Sequence, residues 1–276
     1  MIIKSISYFR NEMICQGHSS HTFPEDKYFS MHTHDICEII YLNSGDASAI
    51  IDGNIYKLTK DSLVIFRADV PHRIRIDGSE TPYERHNILF DENALANGIF
   101  NKIPKSTVMI DCSGKNAIKE LFKKIDAYYE KFGNDDLDIL IPNVIEEIIY
   151  NMYLESDGSI DNSSILHPMV SEAVEYINKH YTEDISVDDI SQKMHITKSH
   201  LHHLFSEYLN ITPKKYINLK RLAKAQKMIK SGEQPSQIYI ECGFSEYSTF
   251  FRNYSNHFGY TPSQREDIEK ERQFEL

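Results

Sequence analysis

"KSHLHHLFSEYLNITP", residues 198–213, and "YSTFFRNYSNHFGYTP", residues 247–262, are two copies of one pattern, the first position of each (198 and 247) lying 49 apart. Ser199 aligns with Ser248, Leu201 with Phe250, Phe205 with Tyr254, and Thr212-Pro213 with Thr261-Pro262. Residues four apart share a helix face. Leu201 with Phe205 and Phe250 with Tyr254 are therefore expected to pack inward. That leaves Ser199, His202 and His203 on the outside of one helix, and Ser248, Phe251 and Arg252 on the outside of the other.

Each copy follows a shorter helical stretch, "SVDDISQKM" in the first and "PSQIYIEC" in the second. A short helix, a tight turn and a second helix with a polar outer face is the helix-turn-helix pattern. Gly243 stands at the second turn, where a left-handed backbone suits glycine. Each Thr-Pro ends one unit and starts the next element. Between the copies, "TPKKYINLKRLAKAQKMIKSG" reads as one long helix ending at Gly232. Held on such a helix, two recognition helices could enter major-groove segments about 34 Å apart on one DNA face.

The net charge of −11 over 276 residues conceals a strong asymmetry. Residues 1–166 hold 16 Lys+Arg against 26 Asp+Glu, whereas residues 191–230 hold nine Lys+Arg against Glu207 alone. An acidic chain with one concentrated basic segment carries a local footprint for a polyanion. The chain has no apolar run near the ~20 residues that span a bilayer, and its first residues lack a signal-peptide pattern. Four scattered cysteines, none in C-x-x-C spacing, argue against a disulfide framework and fit a cytoplasmic protein.

Residues 167–265 resemble the DNA-binding domain of the AraC/XylS family of transcriptional regulators. The likeness runs through "YINKHYTEDISVDDIS", the first repeat with its basic helix, and "ECGFSEYSTFFRNYSNHFGYTPSQR". It implies that Ser199, His202 and His203 face bases in the first unit, and Tyr247, Ser248, Phe251 and Arg252 in the second. Arg252 suits bidentate contact to guanine and Phe251 a thymine methyl. Lys198, Lys214 and Lys215 are expected at phosphates, which position without specifying sequence. The chain departs from the family pattern at Tyr239, where a small residue is usual, at Asn210 in place of glycine, and at Gln264.

Residues 1–110 read as short strands, "CEIIYLN", "ASAIIDG", "NIYKL", "DSLVIF" and "RHNILF" among them, spaced by turn residues as in an antiparallel sandwich or small barrel. "MHTHDICEIIYLNSG" sets His32, His34 and Glu38 in H-x-H-x3-E spacing, and "DSLVIFRADVPHRI" adds His72. This resembles the cupin family, in which two such motifs line a barrel. The resemblance implies that His32, His34, Glu38 and His72 line a small-molecule pocket, with a metal there not favoured. Asp26 and Lys60 stand where the cupin pattern has glycine. Tyr41, Arg67 and Arg73 are further polar candidates, while His180 and His257 read as lone surface histidines.

The expected fold is α+β in two domains: a cupin-like antiparallel barrel over 1–110, a helical dimerisation hairpin over 111–155, a linker over 156–166, an all-α domain with two helix-turn-helix units over 167–265, and a charged tail over 266–276. Two apolar helical faces in 115–155 are expected to meet a partner subunit. The expected function is a cytoplasmic, homodimeric, sequence-specific DNA-binding regulator that senses a small molecule such as a sugar and works with RNA polymerase. It has no resident cofactor, catalytic residues or membrane contact. The competing readings are a metal-dependent cupin enzyme with a helical appendage, separable by metal analysis, and a carbohydrate-binding module, against which the basic segment argues.

Overall fold

A computed structural model describes residues 2–11, 14–92, 96–114, 116–156 and 163–264. The N-terminal half is built of β1 (Ile2–Arg10), β2 (Ile14–Thr22), β3 (Cys37–Ser44), β4 (Asp46–Ile51), β5 (Asn54–Leu58), β6 (Ser62–Phe66), β7 (His72–Gly78), β8 (Tyr83–Phe90) and β9 (Met109–Asp111). They form two antiparallel sheets, β1-β2-β8-β3-β6-β9 and, with β10 (Ser163–Ile165), β10-β5-β4-β7. The Asp-Gly of "IIDGNI" makes the β4–β5 hairpin: Asp52 and Gly53 both take positive φ, the twist that joins two strands tightly.

The six-stranded sheet is covered on both faces. Along β3, Glu38 and Ile40 point between the sheets, while Ile39 and Tyr41 point outward into a second core. That second core is completed by α1 (Asn116–Lys131) and α2 (Asn134–Glu155) through Phe122, Ile125, Ile141 and Ile148. Double-sided burial explains why β3 reads as a nearly continuous apolar run. The apolar faces of the hairpin therefore meet the chain's own barrel. Outside, α2 leaves Ile139, Tyr150, Tyr153 and Leu154 exposed.

One expectation changes at the linker. Residues 157–162 lie outside the described residues, as does the tail 266–276, but Ser163–Ile165 pairs with β5 as an edge strand. The edge of β5 offered unpaired backbone groups, and a polar segment satisfies them as well as an apolar one.

The C-terminal half comprises α3 (Pro168–His180), α4 (Val187–Lys193), α5 (Lys198–Leu209), α6 (Pro213–Lys230), α7 (Pro235–Ile238) and α8 (Tyr247–Phe258). Ser186 and Asp189 cap α4 reciprocally, Thr197 caps α5 and Thr212 caps α6. Asn210 ends α5 in the left-handed conformation the sequence requires of it. Two small cores share α6: Tyr216 and Ile217 pack with Leu201 and Phe205, and Leu222, Ala225 and Ile229 with Phe250 and Tyr254. Gly243, at φ +89°, sits where a Cβ would come within 2.7 Å of the Tyr181 carbonyl. That close approach locks the second turn onto the loop after α3. Tyr239, the departure from a small residue, is accommodated at the edge of this core beside Tyr247, ring centroids 5.7 Å apart.

Candidate functional site

Between the two sheets lies a cavity of about 540 Å³, lined by His32, His34, Glu38 and His72 among others. Ligand atoms of these four residues lie within 4.8 Å of one another. The bridge between His32 and His72 brings the two motifs together. Each imidazole donates Nδ1–H to a backbone carbonyl: His32 to Ser30 (3.0 Å), His34 to Ile36 (2.8 Å) and His72 to Val70 (2.8 Å). This fixes the rings so that Nε2 of His34 and of His72 meet Glu38 Oε2, at 3.4 and 3.2 Å. Burial alone would push the Glu38 carboxyl up, but the two imidazoles hold it well below the usual range. His32 is exposed at the edge of the group; its crowded setting lowers its pKa below the ordinary value, with His72 adding to the effect. Carbonyl-oriented imidazoles around one carboxylate are also how proteins prepare metal ligands, so the donor set fits a divalent cation.

The other polar candidates fall elsewhere. Tyr41 faces the helices and donates to Asp61 (2.6 Å), Arg67 donates to the carbonyls of Ile103 and Pro104, and Arg73 is paired with Asp26 away from the cavity. Polar cavity residues that the sequence reading did not name include His21, Arg85 and Asn87. His257, expected as a lone surface residue, is half-buried and borders the cavity from α8. His180 does lie at the surface, against Glu183. On the opposite face of the six-stranded sheet, His18 and His86 stack at 3.8 Å, and His18 bonds Asp126 of α1 (2.9 Å) and Glu84 (3.2 Å). His18 Nδ1 and His86 Nε2 both meet Asp126 Oδ2, at 2.9 and 3.6 Å, and these contacts join the sheet to the helix.

In the helical half, Ser199, His202 and His203 are exposed on α5, and Ser248, Phe251 and Arg252 on α8; Tyr247 is half-buried. Leu201, Phe205, Phe250 and Tyr254 are buried, as their spacing requires. Lys198 pairs with Asp188 across the first turn. Lys214 and Lys215 are both exposed at the start of α6, Lys215 at the rim of a cleft between that helix and the barrel.

The two halves are joined by specific bonds. Asp35, next to His34, has its buried carboxylate held by Gln226 Nε2 (2.9 Å) and Lys230 Nζ (2.8 Å) of α6. Lys230 also donates to the Asp35 carbonyl (2.9 Å). Gln226 in turn accepts from Tyr254 of α8 and contacts Tyr260. A chain of hydrogen bonds thus runs from the residue beside His34 to the core of the second helix-turn-helix unit. Met31 packs into the core of the first.

Comparison with known proteins agrees with this architecture. Residues 19–100 match the model of an AraC-like ligand binding domain, and residues 190–266 that of a helix-turn-helix domain. The chain is similar to the HTH-type transcriptional activator RhaS of Escherichia fergusonii, at 20% identity over 86% of this chain and 87% of that one. It is also similar to the lactose operon transcription activator of Staphylococcus xylosus, at 29% identity over 48% of each chain. A solved AraC-type DNA-binding domain regulator from Chromobacterium violaceum is 31% identical, covering 38% of this chain and 96% of that one, with a TM-score of 0.34. Among the described residues no helix is long and apolar enough to cross a membrane. With a ligand-binding barrel ahead of two helix-turn-helix units on one basic helix, the chain belongs to the AraC family of transcription regulators.

Proposed function

We propose that the barrel cavity is the effector site and that its occupancy reaches the DNA-binding units through Asp35. The observation that carries this is the buried Asp35 carboxylate, adjacent to a cavity residue and bonded to the helix that holds both units. A ligand that moves His34 moves Asp35, and a population of docked and undocked domains then shifts with ligand binding. Docking occupies Lys230 with Asp35, so it withdraws a cation from the basic segment. The docked arrangement is therefore the weaker DNA binder. Asp35→Asn keeps the shape and removes the charge. It is expected to raise affinity for a selected DNA site in the absence of effector, measured by fluorescence anisotropy. Unchanged affinity in both Asp35→Asn and Asp35→Ala would sink the relay.

In this reading Ser199, His202 and His203 of α5 and Tyr247, Ser248, Phe251 and Arg252 of α8 face base edges, while Lys198, Lys214 and Lys215 take phosphates once the domains part. The outward exposure of all but Tyr247 among the base-facing set supports it. The exposed stripe of α2 supports a homodimer. The family supports a cytoplasmic protein acting with RNA polymerase, and a sugar-like effector.

A second reading of the cavity is favoured by the three Nδ1–carbonyl bonds. His32, His34, Glu38 and His72 would hold a divalent transition metal, which would supply a Lewis-acidic contact for an effector oxygen. Elemental analysis of the purified chain, with His72→Ala as control, decides it: a stoichiometric metal lost in the variant supports the site, and equal trace metal in both removes it.

A further inference from the structure

We propose that the cavity takes a small hydroxylated monocarboxylate, its carboxylate held by Arg85 and its hydroxyls by His21, Asn87 and His257. This rests on reading the cavity as the effector site and names the chemistry of its ligand.

Arg85 stands on β8 opposite Ser19 of β2 and Leu42 of β3, which turns it between the sheets and into the cavity. Its Nε is buried without a hydrogen-bond partner, and its guanidinium lies 5.6 Å from the Tyr83 ring centroid. No carboxylate pairs with it among the described residues. Cations withdrawn from solvent elsewhere in the chain have partners: Arg73 meets Asp26, Lys230 meets Asp35, and Arg67 meets two carbonyls. Glu38 is engaged by His34 and His72. Arg85 is half-buried; a guanidinium stays cationic in proteins, and a charge partly withdrawn from water without a counter-charge is costly. A planar carboxylate is the counter-ion its two-pronged geometry fits best.

Residues lining the same cavity carry further buried polar atoms without partners: His21 Nδ1, Thr33 Oγ1, Asn87 Oδ1 and His257 Nε2. Native structures leave few such atoms unsatisfied, and this many around one cavity mark where a ligand's hydroxyls go. Burial, reinforced by Arg85, pushes His21 down to about 4, so it accepts or donates as a neutral ring near pH 7. Arg85 is the only Arg or Lys among the residues lining the cavity, and the Glu38 carboxyl group stands on the same lining. A monocarboxylate is favoured over a dicarboxylate or a phosphate dianion. Ile40, Phe66, Ile74 and Leu89 give the ligand's carbon frame apolar walls. His257 belongs to α8, so the same ligand touches the second DNA-binding unit directly.

The test is thermal denaturation of the full chain with paired probes: gluconate against glucose, galacturonate against galactose, and a series of two- to seven-carbon carboxylates with and without hydroxyls. The expected result is a saturable rise in Tm with at least one hydroxylated carboxylate and none with its neutral counterpart. Arg85→Met is expected to weaken that binding about 10- to 100-fold, the worth of a hydrogen bond to a charged group. Arg85→Lys, which keeps the charge, is expected to retain part of it. Neutral sugars acting equally on wild type and Arg85→Met, or no shift from any carboxylate, would overturn the proposal. DNA selected by the Arg85→Met chain separates the two levels. Intact selectivity there with no carboxylate effect removes only the ligand class; loss of DNA selection in the wild type removes the regulator reading itself.

Discussion

At the scale of single residues, the alternation of a strand decides which chemistry meets which compartment. Arg85 and Asn87 face the cavity, while His86 between them faces α1 and stacks on His18. Burial, with His18 adding, pushes His86 down to about 3 from an ordinary 6.5, while the Asp126 carboxylate pulls the other way. The folded chain thus keeps this ring neutral where the unfolded chain would protonate it. Unfolding takes up a proton between about 6.5 and 3, so stability falls as the pH drops through that window. His18 works in the opposite sense. Burial would lower it, but Asp126 and Glu84 hold it above its ordinary value, so its contribution is full at low pH and lost as the pH rises. His86→Phe removes the first effect and spares the second. Urea denaturation at pH 7 and pH 5 is expected to show a smaller acid-induced loss in the variant than in the wild type; an equal loss in both would assign the acid sensitivity elsewhere. None of this was legible in the sequence, because period-two alternation does not say which face is the inner one, and a shift of one residue exchanges them.

At the scale of elements, the helical half was the most legible part of the chain. Its units are local: caps, turns and buried pairs lie within a few residues of one another, and the repeat supplied a second copy to check each reading against. The His-x-His-x3-Glu motif and His72 were legible as a pattern, although His32 and His34 lie ahead of β3 and only an isolated bridge pairs His32 with His72. The hairpin was legible as helices but not in what it covers, since an apolar face carries no record of its partner. The barrel takes most of α1 and α2, and α2 keeps Ile139, Tyr150 and Leu154 outside. Exposed apolar side chains at helical spacing fit a partner helix. Tyr150→Glu with Leu154→Glu is expected to shift the chain from dimer to monomer by light scattering, with no loss of Tm beyond about 0.5 kcal/mol in equivalent stability, as both sites face solvent. A variant that stays dimeric would move the subunit contact to another surface.

At the scale of the whole molecule, the contacts that the proposed relay uses lie where the halves meet, which is why the sequence hid them. His257 is more than two hundred residues from His34 yet borders the same cavity, and Asp35 bonds a helix from the far half of the chain. Such contacts have no local pattern. They tie the cavity wall and α6 into one hydrogen-bonded unit, whose state the proposed effector would bias. The central claim is that this unit reads DNA with two helices on one rigid axis, and selection of DNA from a random pool by the full chain tests it most directly. The account predicts one enriched motif with two elements about one helical turn apart. Arg252→Ala should relax the preference in one element only, at a cost of about 1–3 kcal/mol for its base pair. No enrichment, or a motif insensitive both to Arg252→Ala and to alanine at His202 and His203, would contradict it.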